Sequence, residues 1–109
     1  MIVLPFPVSV NALYNGGSAQ KRFPSKRYKA WLKEVPELEP LELTECKLEY
    51  RFYFPDNRNR DSENYTKCVS DYLVKSRVII DDNWHVVREM KLVPVEIDRK
   101  NPRVEVIFY

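Results

Sequence analysis

Leu43-Thr44-Glu45-Cys46-Lys47-Leu48-Glu49-Tyr50-Arg51-Phe52-Tyr53-Phe54 decides the fold, because Cys46, Leu48, Tyr50, Phe52 and Phe54 alternate with Lys47, Glu49, Arg51 and Tyr53. A period of two marks a strand with one buried face, so residues 43–54 are expected to form the main strand of a sheet. The chain then changes character. Residues 56–60 are polar and predict a loop, and from residue 61 or 62 to 76 the apolar side chains Tyr65, Cys68, Val69, Tyr72 and Leu73 recur at three and four. That spacing predicts a helix. Residues 78–80 form a short apolar run, read as a small strand. Upstream, residues 2–6 predict a strand that Pro5 and Pro7 confine to an edge or an end. Asn15-Gly16-Gly17-Ser18 predicts a flexible turn. Ser25 is placed to cap a helix over residues 26–35, with Tyr28, Trp31 and Leu32 on its apolar side and Pro36 and Pro40 closing it. Downstream, residues 86–93 and 103–109 predict two more strands, joined by Asp98-Arg99-Lys100-Asn101-Pro102. Strands and helices mix without a regular beat. The expected fold is therefore α+β, a two-layer sandwich of a small mixed β-sheet with two helices packed on one face.

Composition bounds the rest. A chain of 109 residues, 44% hydrophobic and 13% aromatic, suits one domain spanning residues 1–109 with a single core. No stretch reaches the roughly 18 to 20 apolar residues of a membrane span. Met1-Ile2-Val3-Leu4 has no charged leader and no cleavage site, so a cytoplasmic location is expected, with no membrane partner. Cys46 and Cys68 form no metal-ligand pattern and read as small buried apolar residues. The net charge of +2 names no partner, but its distribution is uneven. Residues 21–33 carry Lys21, Arg22, Lys26, Arg27, Lys29 and Lys33 without an acid. Residues 34–49 carry Glu34, Glu37, Glu39, Glu42, Glu45 and Glu49 against Lys47 alone. The basic segment suits a phosphate backbone, and it equally suits a solvated helix face.

Three carboxylates carry the chemistry. Asp61 and Glu63 stand two residues apart, and Asp82 ends Val78-Ile79-Ile80-Asp81-Asp82. A hard cation such as Mg²⁺ takes oxygen ligands, commonly one or two carboxylates plus a substrate phosphate. The arrangement reads as a phosphodiester-cleaving metal site with bases nearby to hold nucleic acid. Acids at a helix start are also favoured by its dipole and free N–H groups, and Glu63–Lys67 and Lys67–Asp71 are spaced as ordinary i,i+4 pairs. His85 reads as a surface or packing residue, and Trp84 as core or dimer interface. Tyr14 and Phe23 suit packing or base stacking equally.

The stretch Arg58-Asn59-Arg60-Asp61-Ser62-Glu63-Asn64-Tyr65-Thr66-Lys67, with Ile80-Asp81-Asp82-Asn83 after it, resembles the RusA family of Holliday-junction resolvases. That family's signature is an Arg-rich loop, then Asp-x-Asp-Asn-x-x-Lys opening a helix, then an Asp-Asp pair. Leu4-Pro5-Phe6-Pro7, followed by Asn11 and Tyr14, is similar to the family's Leu-Pro-Trp-Pro opening. The resemblance implies a homodimeric, Mg²⁺-dependent endodeoxyribonuclease of phage or prophage type that resolves four-way DNA by paired symmetric nicks, with Mn²⁺ as a substitute. It implies metal ligands at Asp61, Glu63 and Asp82, a functional Lys67, and no small-molecule cofactor. Arg58, Arg60, Asn64, Lys21, Arg22, Lys26 and Arg27 are the expected DNA-binding residues. Asp81 is expected to shape the strand end. The family's second acid is usually Asp, whereas Glu63 carries one more methylene and moves its carboxylate by roughly 1.5 Å. The rival readings are a catalytically degenerate DNA-binding module of the same fold and an interaction protein whose acids serve only capping and solvation.

Overall fold

The structure, a computed structural model, describes residues 1–15 and 23–109. Ten elements follow in order: β1 (Ile2–Pro5), a 3-10 turn (Val10–Ala12), β2 (Tyr14–Asn15), β3 (Phe23–Pro24), α1 (Lys26–Glu34), β4 (Cys46–Phe54), a 3-10 turn (Ser62–Tyr65), α2 (Thr66–Lys75), β5 (Val87–Ile97) and β6 (Arg103–Phe108). The main sheet has the order β1-β6-β4-β5. β4 runs antiparallel to β6 and parallel to β5, so the sheet is mixed and the fold is α+β. A parallel neighbour requires a crossover, and α2 supplies it. Asp61, Glu63 and Asp82 all lie on that crossover.

Period two in β4 is realised as read through Phe52 and breaks at Tyr53, expected on the outward row but buried, where the register with β5 shifts. Leu48, Tyr50 and Phe52 are fully buried, and they pack in one core with Leu4, Val104 and Val106 of the flanking strands and with Tyr28, Trp31, Cys68, Val69 and Leu73 of the helices. Both helices therefore cover the same face. Ser25 caps α1 by accepting the Tyr28 backbone N–H at 3.1 Å, and its own hydroxyl donates to the Ala12 carbonyl at 2.6 Å. Tyr50 Oη and Ser70 Oγ lie 2.8 Å apart, which ties α2 to the middle of the sheet. Both cysteines are free, and burial pushes the Cys68 thiol up to about 12.

Several boundaries move for local reasons. The strand expected over residues 43–54 begins at Cys46, and the run 78–80 forms no strand; the two meet only at the parallel bridge Leu43–Ile79. β5 continues past Val93 to Ile97, because Pro94 sits on an edge strand and the register slips between Phe52 and Tyr53 to absorb it. The helix expected from residue 61 or 62 begins as a 3-10 turn, and α2 proper starts at Thr66. Arg77 closes α2 at φ 62°, with Arg77 N–H donating to the Val74 carbonyl and Val78 N–H to the Leu73 carbonyl, at 2.9 and 3.0 Å. This left-handed close turns the chain sharply toward Asp81 and Asp82. Trp84 is 68% exposed, so it is not core; it stands in a polar, hydrogen-bonded loop where His85 stacks on it and the Arg88 guanidinium lies over its ring. The glycine turn at Gly16-Gly17-Ser18 lies outside the described residues. No described helix is long and apolar enough to cross a membrane.

Candidate active site

The loop after β4 folds around one acid. Asp56 accepts the Arg58 backbone N–H at 2.9 Å and pairs with the Arg60 guanidinium at 2.5 and 3.2 Å. Arg60 is only 10% exposed along its side chain and lies 5.8 Å over the Phe6 ring. Phe6 in turn packs against Phe54 and Tyr65 at 5.6 and 5.1 Å between centroids. The end of β4, the segment after β1 and the 3-10 turn are thus clasped together, and Asp61 follows directly on the clasp.

Hydrogen bonding to Arg60 holds the Asp56 carboxyl well below the usual carboxylate range, with the Arg58 backbone N–H adding to it. A carboxyl whose folded pKa is depressed stabilises the fold fully above its unfolded value of about 3.9, and that stabilisation drains away as pH falls toward the folded value. Asp56→Asn should therefore lower the thermal midpoint at neutral pH and flatten its decline between pH 5 and 2 (both approximate limits). Melting curves across that range test this, and an unchanged acid slope would exclude Asp56 as the loop's electrostatic anchor.

Asp61 lies at the N-cap of the 3-10 turn and makes no side-chain cap bond; its carbonyl accepts the Asn64 N–H at 3.0 Å. Glu63 lies exposed in the first turn, and Asn64 is half-buried. Lys67 stands one turn further, roughly 6–7 Å along the axis from Glu63. It pairs with Asp71 at 3.1 Å and not with Glu63. Hydrogen bonding to Asp71 raises the Lys67 ammonium above its ordinary value against partial burial, and the Asp82 charge contributes in the same direction. Asp82 lines a cleft of about 500 Å³ with Asp81, Tyr14 and, from α2, Asp71 and Lys75. Asp81 accepts the Asp82 backbone N–H at 2.7 Å and Asn83 Nδ2 at 2.8 Å, so it shapes the loop and leaves Asp82 outward.

Eight of the 16 acids pair with a cation among the described residues. Among the described residues Asp61, Glu63 and Asp82 have exposed carboxylates with neither ion pair nor side-chain hydrogen bond, a condition they share with Glu34, Glu37, Glu39 and Glu96. Unpaired hard oxygens suit a hard dication. They are not, however, drawn together: among the described residues no three His, Cys, Asp or Glu side chains stand close enough to share one ion. Mg²⁺ asks less than that, since one or two carboxylates with water and a substrate phosphate complete its shell. The donor set fits.

Of the expected DNA-binding residues, Arg27 and Arg58 are exposed and line a cleft of about 650 Å³ that Asn59 and Arg60 also line. Lys26 is exposed at the head of α1, and Lys21 and Arg22 lie outside the described residues. Arg60, tied to Asp56, holds the loop. Sequence reasoning missed Asp56 and treated Asp71 as a surface pair. The signal for Asp56 was present, an acid two and four residues ahead of two arginines.

An α+β domain that exposes unpaired acids before and after α2, a lysine on that helix and arginines along a groove carries groups able to act on a phosphodiester. A protein-family profile described as Endodeoxyribonuclease RusA matches residues 6–109, and the chain belongs to that family of endodeoxyribonucleases. No curated protein matches the chain.

Proposed function

We propose that this protein is a Mg²⁺-dependent, structure-selective endodeoxyribonuclease that resolves Holliday junctions as a homodimer in the cytoplasm, by paired nicks in symmetric strands. The observation that carries the reading is that Asp61, Glu63 and Asp82, all on the β4–β5 crossover, carry exposed carboxylates without a cation among the described residues, in a chain that pairs most of its other acids, and that the Asp82 charge is felt at Lys67. Family membership over nearly the whole chain supports the activity class. One or two of Asp61, Glu63 and Asp82 would hold the ion together with water and the substrate phosphate, and when bound it supplies an activated water and neutralises developing charge. The chain's own residues do the rest. Lys67, held by Asp71, offers its ammonium to a non-bridging phosphate oxygen. Arg27 and Arg58 take the flanking backbone along the groove, where a guanidinium matches phosphate with two donors. Asp81 keeps its partner acid turned outward. A two-fold dimer would present two such sites to a pseudo-symmetric four-way substrate.

A labelled four-way junction incubated with the protein and Mg²⁺ should yield nicks in opposed strands. Chelation should abolish them and Mn²⁺ restore them. Salt-sensitive junction binding without a nick at any protein concentration would instead favour the degenerate binding module, whose support is the longer Glu63 and the dispersed acids.

A further inference from the structure

The loop between Asp82 and β5 carries an exposed indole. Trp84 is 68% exposed and lies two residues beyond Asp82. The loop that bears it is closely bonded. Asn83 accepts the His85 N–H on its side-chain oxygen at 3.0 Å, and its carbonyl accepts from Val86 and Val87 at 3.1 and 2.9 Å. His85 stacks on the indole at 3.9 Å and 29°, and the Arg88 guanidinium stands 5.8 Å from the ring centroid. A ring already held in place loses little freedom when something lands on it.

Its surroundings say what that something is. Asp81, Asp82, Asn83, His85 and Arg88 are all polar and exposed, and Ile80 is the one exposed apolar neighbour in the loop. The buried core of a protein interface gathers apolar side chains and sheds charge. A lone ring among charges suits instead a flat partner with a π face and a polar edge. We infer that Trp84, backed by His85, is a stacking platform for a nucleobase left unpaired at the branch point, and that it holds the base beside Asp82. This rests on the junction-nuclease reading above. Duplex DNA keeps its bases stacked on one another and offers none, so the platform contributes to branch selection rather than to general affinity. Arg88 pairs with Glu45 at 3.2 Å on an exposed surface, a contact weak enough to exchange for the adjoining phosphate.

The test uses the full chain with cleavage blocked by chelation, and three probes: a four-way junction, a blunt duplex and a single-stranded oligonucleotide. Trp31 is 4% exposed, so quenching of tryptophan emission by DNA reports on Trp84. Junction and single strand should quench it, and duplex should not. Trp84→Ala, at an exposed position, should fold normally and weaken junction binding about 5- to 150-fold while leaving duplex binding unchanged. Trp84→Phe should retain most of the affinity. If Trp84→Ala binds the junction as the wild type does, the inference is overturned while the nuclease reading stands on its nicks. A change in oligomeric state without a change in base-dependent binding would overturn it in favour of a protein interface. If the wild type binds no DNA at all, both readings fall together.

Discussion

Asp82→Asn and Asp61→Asn are each expected to reduce Mg²⁺-dependent junction cleavage about a thousandfold or more while leaving junction binding within a few-fold. The substitution keeps the shape of the side chain and removes its charge. A carboxylate that holds a catalytic ion supports several kcal/mol of charge stabilisation in the transition state, and each ~1.36 kcal/mol is tenfold in rate. Folding should hardly notice, since neither side chain makes a hydrogen bond or ion pair among the described residues, and exposed changes of this kind stay within about 0.5 kcal/mol. Binding should hold for the same electrostatic reason: losing a negative charge beside DNA removes repulsion. Asp81→Asn is the internal control. Its carboxyl is held below its ordinary range by the Asp82 backbone N–H and by Asn83, so the change should loosen the loop and lower the rate far less. Single-turnover cleavage and fluorescence anisotropy on one junction measure both halves. Wild-type cleavage by either Asp61→Asn or Asp82→Asn would remove that residue from the site.

The scaffold was legible where one physical rule dominated. Alternation in β4 carries one solvent-facing and one core-facing row, and nothing nearby competes with it, so Leu48, Tyr50 and Phe52 fell inside as read. Ser25 stands before an amphipathic stretch with no rival cap, and it caps α1. Legibility failed where backbone bonds at long range decide. The run at residues 78–80 has strand composition, but Leu43 and Ile79 meet at a single bridge, so the run ends as a bend. The strand expected over residues 86–93 runs on through Pro94 to Ile97, because an edge position with a register slip lets it continue. The β2–β3 pairing has two residues on each side, too few for any periodicity. At the site, spacing placed Asp61, Glu63 and Lys67 at a helix start, and they lie there, with the first turn wound as a 3-10 turn. Arg60's tie to Asp56 and Trp84's exposure were not readable, because both depend on how a polar loop closes. No local pattern tells whether an arginine faces a phosphate or an acid of its own loop.

Phe52→Ala is the change expected to cost the fold most. Phe52 is fully buried at the centre of β4, between β6 and β5, and stacks on Phe54 at 6.1 Å. Truncating a buried phenylalanine removes its transfer energy and leaves a cavity, together about 3–5 kcal/mol. A domain of this size has only about 5–15 kcal/mol in all, so the midpoint of thermal unfolding should fall by more than about 10 °C. Tyr50→Phe in the same row separates packing from polarity: it keeps the ring and removes only the 2.8 Å bond to Ser70, worth about 1 kcal/mol. That bond pins α2, the helix that carries Lys67 and Asp71, so Tyr50→Phe should slow cleavage more than its small stability cost implies. Phe52→Ala should do the reverse, with activity per folded molecule preserved at low temperature and lost on warming. A midpoint within about 3 °C of wild type for Phe52→Ala would mean that the ring is not packed between helices and sheet. The crossover holding Asp61 and Asp82 would then lack the support assigned to it.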